Sequence, residues 1–466
     1  MSIPRHIFKQ YDIRGLMGEE ITEDLAENIG RAYAQFLRNE LPPDKPLTVV
    51  IGRDMRESSV PYQNRLMAGL VKSGVRVLDI GLVSTPAFYF GVGHLNADGG
   101  IMVSASHNPA QYNGFKLTRS NAVPISGETG IQEIAKMVEI ADPPPARGGV
   151  RGGGSAAAGS IESVEGIPEL AARAEFEHAG THPIKNMKIV VDTANGMGAQ
   201  YLDEFFKLVD ADVTWMFRDF DGSFPNHEAD PFKEENTEAI REKVLEIGAD
   251  LGITTDGDGD RIFFVDDKGR AVTPAVLRGL LAQINLRDHP GATVCYDIRP
   301  GKITQDMIVE AGGIPSVTRV GHSLIKEQMR SVGAVFGGES SGHFFYAFPT
   351  GVYEGPVTVA TQILQEVTRR GMKLSEIVEP LERYVHSGEM NFTVQDKDGM
   401  MKKLVEKYHD GELTTLDGIT ITYPDFWFNV RASNTEPKLR LNLEALDRAT
   451  MESRRDEIVA VIKENA

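Results

Sequence analysis

The sequence predicts an α/β protein built from one repeated unit, and two observations carry that expectation. Short β-branched runs are followed by stretches of helical periodicity three times along the first 370 residues or so. In each repeat a second strand-like run opens into a polar, glycine-containing loop rich in chemically active side chains. Ligands in open α/β sheets sit beyond the carboxyl ends of strands, so loops of this kind are candidate sites.

The first repeat is a strand over Leu47 to Ile51, a Gly52-Arg53-Asp54 turn and a helix through Leu70. Its second strand, Gly100 to Val103, opens into Ser104-Ala105-Ser106-His107-Asn108-Pro109. The second repeat is a strand over Met187 to Val191, the turn Asp192-Thr193-Ala194-Asn195-Gly196 and a helix to about Leu208. Its second strand, Asp250 to Ile253, leads to Asp256-Gly257-Asp258-Gly259-Asp260-Arg261. The third has a strand over Thr293 to Tyr296 and a helix to about Glu310. Its second strand, Gly333 to Phe336, leads to Gly337-Gly338-Glu339-Ser340-Ser341-Gly342-His343.

Beyond about residue 372 the pattern changes. Strand-like runs at 390–394, 418–423, 427–430 and 438–443 alternate with helical ones at 399–408 and 449–463, which predicts a smaller α+β domain. A proline-, glycine- and alanine-rich stretch at 142–160 reads as an exposed boundary segment. The expected domains are 1–155, 156–266, 267–372 and 373–466, since 466 residues exceed what one core supports.

Composition narrows the function. With 67 acidic and 49 basic residues the formal net charge is -18, which argues against nucleic acid as a partner. A single cysteine, Cys295, allows no disulfide within the chain and fits a reducing compartment. No run approaches the roughly 18 apolar residues of a membrane span, and the opening stretch carries Arg5, Lys9, Asp12 and Arg14. The expectation is a soluble cytoplasmic protein.

The metal loop is the strongest local signal. Asp256, Asp258 and Asp260 alternate with glycines, which lets three carboxylates converge on one hard cation. No cysteine or histidine is interleaved for zinc, so Mg²⁺ is the natural reading. Ser106 lies at a strand exit beside His107, with Lys116 ten residues on. A serine needs a base, cation or metal to act as a nucleophile, and a phosphoserine would add one more anionic metal ligand. Arg431, Ser433, Asn434 and Thr435 could cradle a phosphate or simply cap a turn. Glu339 and Ser341 suit sugar hydroxyls, and His343 could shuttle a proton. Arg14, Lys116, Arg261, Arg299, Lys326, Arg431 and Arg440 supply cations close to several of these loops.

Together these residues resemble the α-D-phosphohexomutase superfamily over essentially the whole chain. The serine loop S-A-S-H-N-P, metal loop D-G-D-G-D-R, sugar loop G-E-S-S-G-H and phosphate loop R-A-S-N-T-E-P occur in the family's order. The opening Y-D-I-R-G (Tyr11 to Gly15) and the R-A-S-N-T form are most similar to the phosphomannomutase/phosphoglucomutase branch. The resemblance implies three similar α/β domains with mixed sheets and a smaller C-terminal α+β domain, a phosphate-binding lid, around a central cleft. It implies phosphoserine at Ser106 and Mg²⁺ held by Ser106, Asp256, Asp258 and Asp260. Glu339 and Ser341 would contact the sugar, and Arg431, Ser433, Asn434 and Thr435 the phosphate not being transferred. Tyr11, Arg14, His107, Lys116, Arg261, Arg299, His322 and His343 would complete the site.

The implied reaction moves phosphate between O1 and O6 of a hexose phosphate, with a hexose 1,6-bisphosphate as intermediate and activator. The implied partners are small sugar phosphates, with neither nucleic acid nor membrane, for a monomer or homodimer. Alternatives are a phosphoglucosamine or phosphopentose mutase of the same superfamily, a Mg²⁺-dependent serine-nucleophile phosphatase, or a silent sugar-phosphate sensor. Ser340 stands where the branch often has Met, and Glu354-Gly355 where it often has an acidic pair before the glycine.

Overall fold

Val49, Val50 and Ile51 expose no surface, which places the strand Thr48–Arg53 inside a sheet covered on both faces. It pairs in parallel with Arg76–Leu82 on one side and Gly99–Val103 on the other. Tyr112–Arg119 runs antiparallel to Gly99–Val103, and Ile13–Leu16 antiparallel to Tyr112–Arg119. The computed structural model describes residues 3–140, 159–299, 301–432 and 438–464. These pack as two compact units. The first comprises Met1–Ala271 with Gly342–Leu374, the second Val272–Ser341 with Ser375–Ala466.

The first unit holds two repeats and part of a third. Helix Glu23–Glu40 starts at Thr22, whose side chain accepts from Leu25 N at 3.2 Å, with Glu23 and Asp24 in its first turn. It packs with Ser59–Lys72 over a core that includes Leu66, Leu70, Val49 and Ile51. Ser160–Ser163 pairs in parallel with Arg76–Asp79, so the residues after the Gly/Ala-rich stretch add a strand to this sheet. The stretch itself, from 141 to 158, lies outside the described residues. The second sheet is ordered Ile262–Asp266, Leu251–Thr255, Lys188–Asp192, Asp212–Met216, its first pair antiparallel and the rest parallel. Every residue of Leu251–Thr255 is buried, which brings the start of the metal loop out of the middle of the sheet. The hairpin Phe344–Phe348 with Gly351–Glu354 and the helix Pro356–Arg370 complete this unit.

The second unit repeats the parallel arrangement. Thr293–Asp297 lies between Ile314–Thr318 and Phe336–Gly338, both parallel to it. The last of these strands starts three residues later than the sequence suggests. Gly333, at φ +64°, ends the helix His322–Val332 in the left-handed conformation before the strand can begin. Cys295 is fully buried, as its apolar surroundings imply, and burial pushes its thiol up to about 11. The C-terminal sheet is antiparallel around Phe426–Ala432 and Lys438–Ala445. Phe428, Val430, Leu439, Leu441 and Leu443 pack there with Ile458 and Ile462 of helix Arg448–Lys463. Among the described residues no helix is long and apolar enough to cross a membrane.

Candidate active site

Ser106 follows the strand Gly99–Val103 and takes φ +52°, a conformation that costs a residue with a Cβ. Its amide donates to Ser104 Oγ at 3.0 Å. Its hydroxyl lies 3.2 Å from His107 Nδ1 and donates to Asp256 Oδ2 at 3.0 Å. The loop carrying Asp256 comes this close because Gly257 has no side chain: a Cβ there would lie 2.6 Å from the Ser106 carbonyl oxygen.

The three aspartates are buried, and each offers an oxygen within 4.8 Å of the others. Thr85 Oγ1 donates to Asp258 Oδ2 at 2.6 Å, and Lys116 Nζ lies 2.7 Å from the same oxygen and 2.6 Å from Asp260 Oδ2. Burial opposes the Lys116 charge, but Asp258 and Asp260 win and hold its pKa well above the usual lysine range. Asp258 Oδ1 is buried with no hydrogen-bond partner among the described residues. Burial, then Asp260 and Asp258, push the Asp256 carboxyl well up. An orphaned carboxylate oxygen and a carboxyl strained by its neighbours fit a divalent cation held by oxygen ligands.

Cations and histidines surround Ser106. Arg14, on the edge strand Ile13–Leu16, donates from Nη1 to Asn108 Oδ1 at 2.6 Å and pairs with Asp12. Tyr11 lies half-buried just before Asp12. Arg261 Nε lies 3.4 Å from His343 Nε2, and that nitrogen is 3.1 Å from Asp260 Oδ1. Arg261, then burial and Arg14, hold His107 well below its usual pKa, so its ring is neutral near pH 7. The first unit thus gathers Ser106, His107, Lys116, Arg14, Arg261, His343 and the three aspartates.

The second unit gathers the sugar-loop residues. Glu339 Oε1 accepts from Gly321 N at 2.7 Å, which sets His322, the first residue of its helix, beside it in the chain. Ser341 Oγ donates to Glu339 Oε2 at 3.0 Å. Arg299 donates from Nε to Asp297 Oδ2 at 2.5 Å and lies 3.8 Å from Glu339 Oε1. The other Asp297 oxygen accepts from Ser340 N at 3.0 Å, from Ser340 Oγ at 2.9 Å and from the fully buried Arg278. Ser340 is therefore a ligand of a buried ion pair. Arg431 donates to Glu389 Oε2 at 2.9 Å. Ser433, Asn434 and Thr435 lie outside the described residues.

Sequence reasoning missed Arg56, Thr85, Arg278, Asp297 and Glu389. Each touches a site residue or its loop across at least 40 positions of chain or from within an apolar helix, where no local pattern marks it. Only Asp297 left a trace, directly after the strand predicted over Thr293 to Tyr296.

Family models for phosphoglucomutase/phosphomannomutase match the whole layout: α/β/α domain I over residues 5–143, domain II over 169–269, domain III over 275–384 and the C-terminal domain over 389–461. A phosphomannomutase of Salmonella montevideo is 37% identical over 98% of both chains. A Xanthomonas campestris protein described as phosphohexose mutases is 39% identical over 99% of this chain and 100% of its own. The crystal structure of a phosphoglucomutase/phosphomannomutase family protein from Burkholderia thailandensis superposes with a TM-score of 0.87 at 31% identity, covering 100% of this chain and 98% of that one. Its three α/β repeats, its antiparallel C-terminal domain and this likeness from end to end place the chain in the phosphoglucomutase/phosphomannomutase family.

Proposed function

We propose that the protein interconverts the 1-phosphates and 6-phosphates of mannose and glucose through phosphorylated Ser106 and a hexose 1,6-bisphosphate. One observation carries the reading: a buried serine hydroxyl 3.0 Å from a carboxylate of a three-aspartate loop, with Lys116 on Asp260 at 2.6 Å, Arg261 3.8 Å from Asp256 and Arg14 on Asn108 at 2.6 Å. The names of its relatives, phosphomannomutase and phosphohexose mutase, support the substrate class.

In this reading phospho-Ser106 gives its phosphoryl group to the free O1 or O6 hydroxyl of a bound sugar monophosphate. The P–Oγ bond breaks as the new P–O bond forms, and the bisphosphate then returns its other phosphoryl group to Ser106. In the forward step the sugar hydroxyl gives up its proton and Ser106 Oγ takes one. In the return step neutral His107, with Nδ1 3.2 Å from Oγ, takes the serine proton and the sugar oxygen freed of its phosphoryl group takes one, so the protons balance over the cycle. Lys116, Arg14 and Arg261 balance the charge of the phosphoryl oxygens. Ser106, Asp256, Asp258 and Asp260 would hold Mg²⁺, which when bound supplies further charge neutralisation at the transferring group. Glu339 and Ser341 would bind sugar hydroxyls, with Arg299 and His322 beside them, and Arg431 with Ser433, Asn434 and Thr435 the distal phosphate. The single cysteine and the substrate class fit a cytoplasmic enzyme.

The test is turnover of mannose 1-phosphate, glucose 1-phosphate and glucosamine 1-phosphate side by side, with intact-mass analysis of the protein. A phosphate mapped to Ser106, isomerisation without release of inorganic phosphate, and loss of turnover in Ser106→Ala are expected. An active Ser106→Ala enzyme would refute the serine carrier, and stoichiometric phosphate release would make the protein a phosphatase.

A further inference from the structure

The segment Ser106 to Tyr112 makes an irregular turn between two strands, and its carbonyl groups cannot all enter the sheet. Four of them converge on one side chain. Arg56 Nη2 donates to Ser106 O at 2.9 Å and Asn108 O at 2.6 Å, and Nη1 to Pro109 O at 3.0 Å and Tyr112 O at 3.2 Å. Nε donates to Asp54 Oδ2 at 3.2 Å, so all five N–H groups of the guanidinium are engaged. Arg56 is 1% exposed, and its Cζ lies 5.0 Å from the centroid of the Phe224 ring.

Asp54 fixes the arginine in turn. It accepts from the Arg56 amide at 3.1 Å and from Ser59 Oγ at 2.6 Å. Buried carbonyls without donors would be costly, and a planar fork meets several of them with little loss of entropy. Ser106 itself is held at φ +52°, which its surroundings must enforce.

We propose that Arg56 is the positioning residue of Ser106. Its guanidinium locks the serine loop from behind, so that the Ser106 oxygen keeps its place against Asp256 and a phosphoryl group on it faces the sugar hydroxyl. Arg56 does not touch the substrate; it acts through the backbone of Ser106 and Asn108. Lysine keeps the charge, but its three donors on one nitrogen cannot reproduce the fork. This inference rests on Ser106 as the phosphoryl carrier.

The experiment compares wild type, Arg56→Lys and Phe224→Leu as full-length enzymes with glucose 1-phosphate and mannose 1-phosphate. It measures kcat and KM per folded molecule, and by intact mass the lifetime of phospho-Ser106 in buffer without sugar. Arg56→Lys should lower kcat by about 10- to 100-fold, the cost of a misplaced reacting group, with KM little changed. Its phosphoserine should be lost to water faster than in wild type. A purely structural arginine would lower the melting temperature and leave kcat per folded molecule and phosphoserine lifetime unchanged, and that result would overturn the proposal. If Arg56→Lys does not fold, Phe224→Leu, on a partly exposed loop, decides. Loss of the ring face should lower kcat about threefold and shorten the phosphoserine lifetime, and unchanged values would overturn the proposal. A wild-type enzyme that carries no phosphate on Ser106 during turnover overturns the carrier reading and this inference with it. Phosphate on Ser106 with Arg56 variants of wild-type behaviour overturns the inference alone.

Discussion

Ser106 Oγ donates to Asp256 Oδ2 at 3.0 Å across 150 residues of chain, and Gly257 makes that approach possible. A Cβ at Gly257 would sit 2.6 Å from the Ser106 carbonyl oxygen, a backbone atom that cannot swing aside. Gly257→Ala is therefore expected to push the two loops apart. Turnover should fall about 100-fold, since an error near 1 Å in a reacting group costs that much. Circular dichroism and steady-state kinetics on the same preparation check it; near-normal turnover in a folded Gly257→Ala protein would contradict the geometry.

Metal removal should silence the enzyme. Asp256, Asp258 and Asp260 are buried together, and Asp258 Oδ1 has no protein partner among the described residues. Titration calorimetry with Mg²⁺ or Mn²⁺ should show one site per chain, and Asp258→Asn should bind at least about tenfold more weakly. Full turnover in excess chelator would leave the loop as an acidic turn.

Sugar choice should be loose. Mannose and glucose phosphates differ only at C2, and in the proposed reading Glu339 and Ser341 bind hydroxyls that both share. Efficiencies for the two epimers should lie within about a hundredfold, because discrimination needs a contact that differs between them. Glu339→Ala should depress both together. A preference of many thousandfold would reveal a contact at C2.

Arg278 is fully buried and bonds Asp297, Thr304 Oγ1 at 2.9 Å and Ser340 Oγ at 3.3 Å. Arg278→Met should cost about 3–5 kcal/mol, because it breaks a buried ion pair and withdraws one of the partners of Asp297. Urea unfolding checks this, and a loss below about 1 kcal/mol would mean that Arg299 alone satisfies the carboxylate.

Glu175 supplies a pH dependence. Its carboxyl is buried and accepts from Val357 N at 2.8 Å and Thr358 N at 3.3 Å at the start of helix Pro356–Arg370. Burial outweighs those two donors, Glu354 adds to it, and the pKa rises to about 8 from an ordinary 4.5. The folded protein therefore holds a proton that the unfolded chain releases between about pH 4.5 and 8. The contribution is whole below about pH 4.5 and is lost as the pH climbs through about 8, with a slope approaching 1.4 kcal/mol per pH unit. Glu175→Gln should flatten that slope in unfolding measurements from pH 5 to 8. Equal slopes in both proteins would rule out Glu175 as the titrating group.

The sequence alone determined the repeated α/β pattern, the smaller α+β C-terminal domain and which loops are candidates for the site. Strand periodicity, glycine spacing and clustered carboxylates are local properties, and local properties survive in a one-dimensional reading. It also marked Ser340 as unusual without explaining it. Only the tertiary structure decided what holds those loops. Arg56 reaches the Ser106 loop from 50 residues away, Thr85 reaches Asp258 from 173, and Arg278 reaches Ser340 from 62. No pattern along the chain encodes such contacts. They exist because buried carbonyls and carboxylates must find donors, and the fold decides which arginine or threonine is within reach.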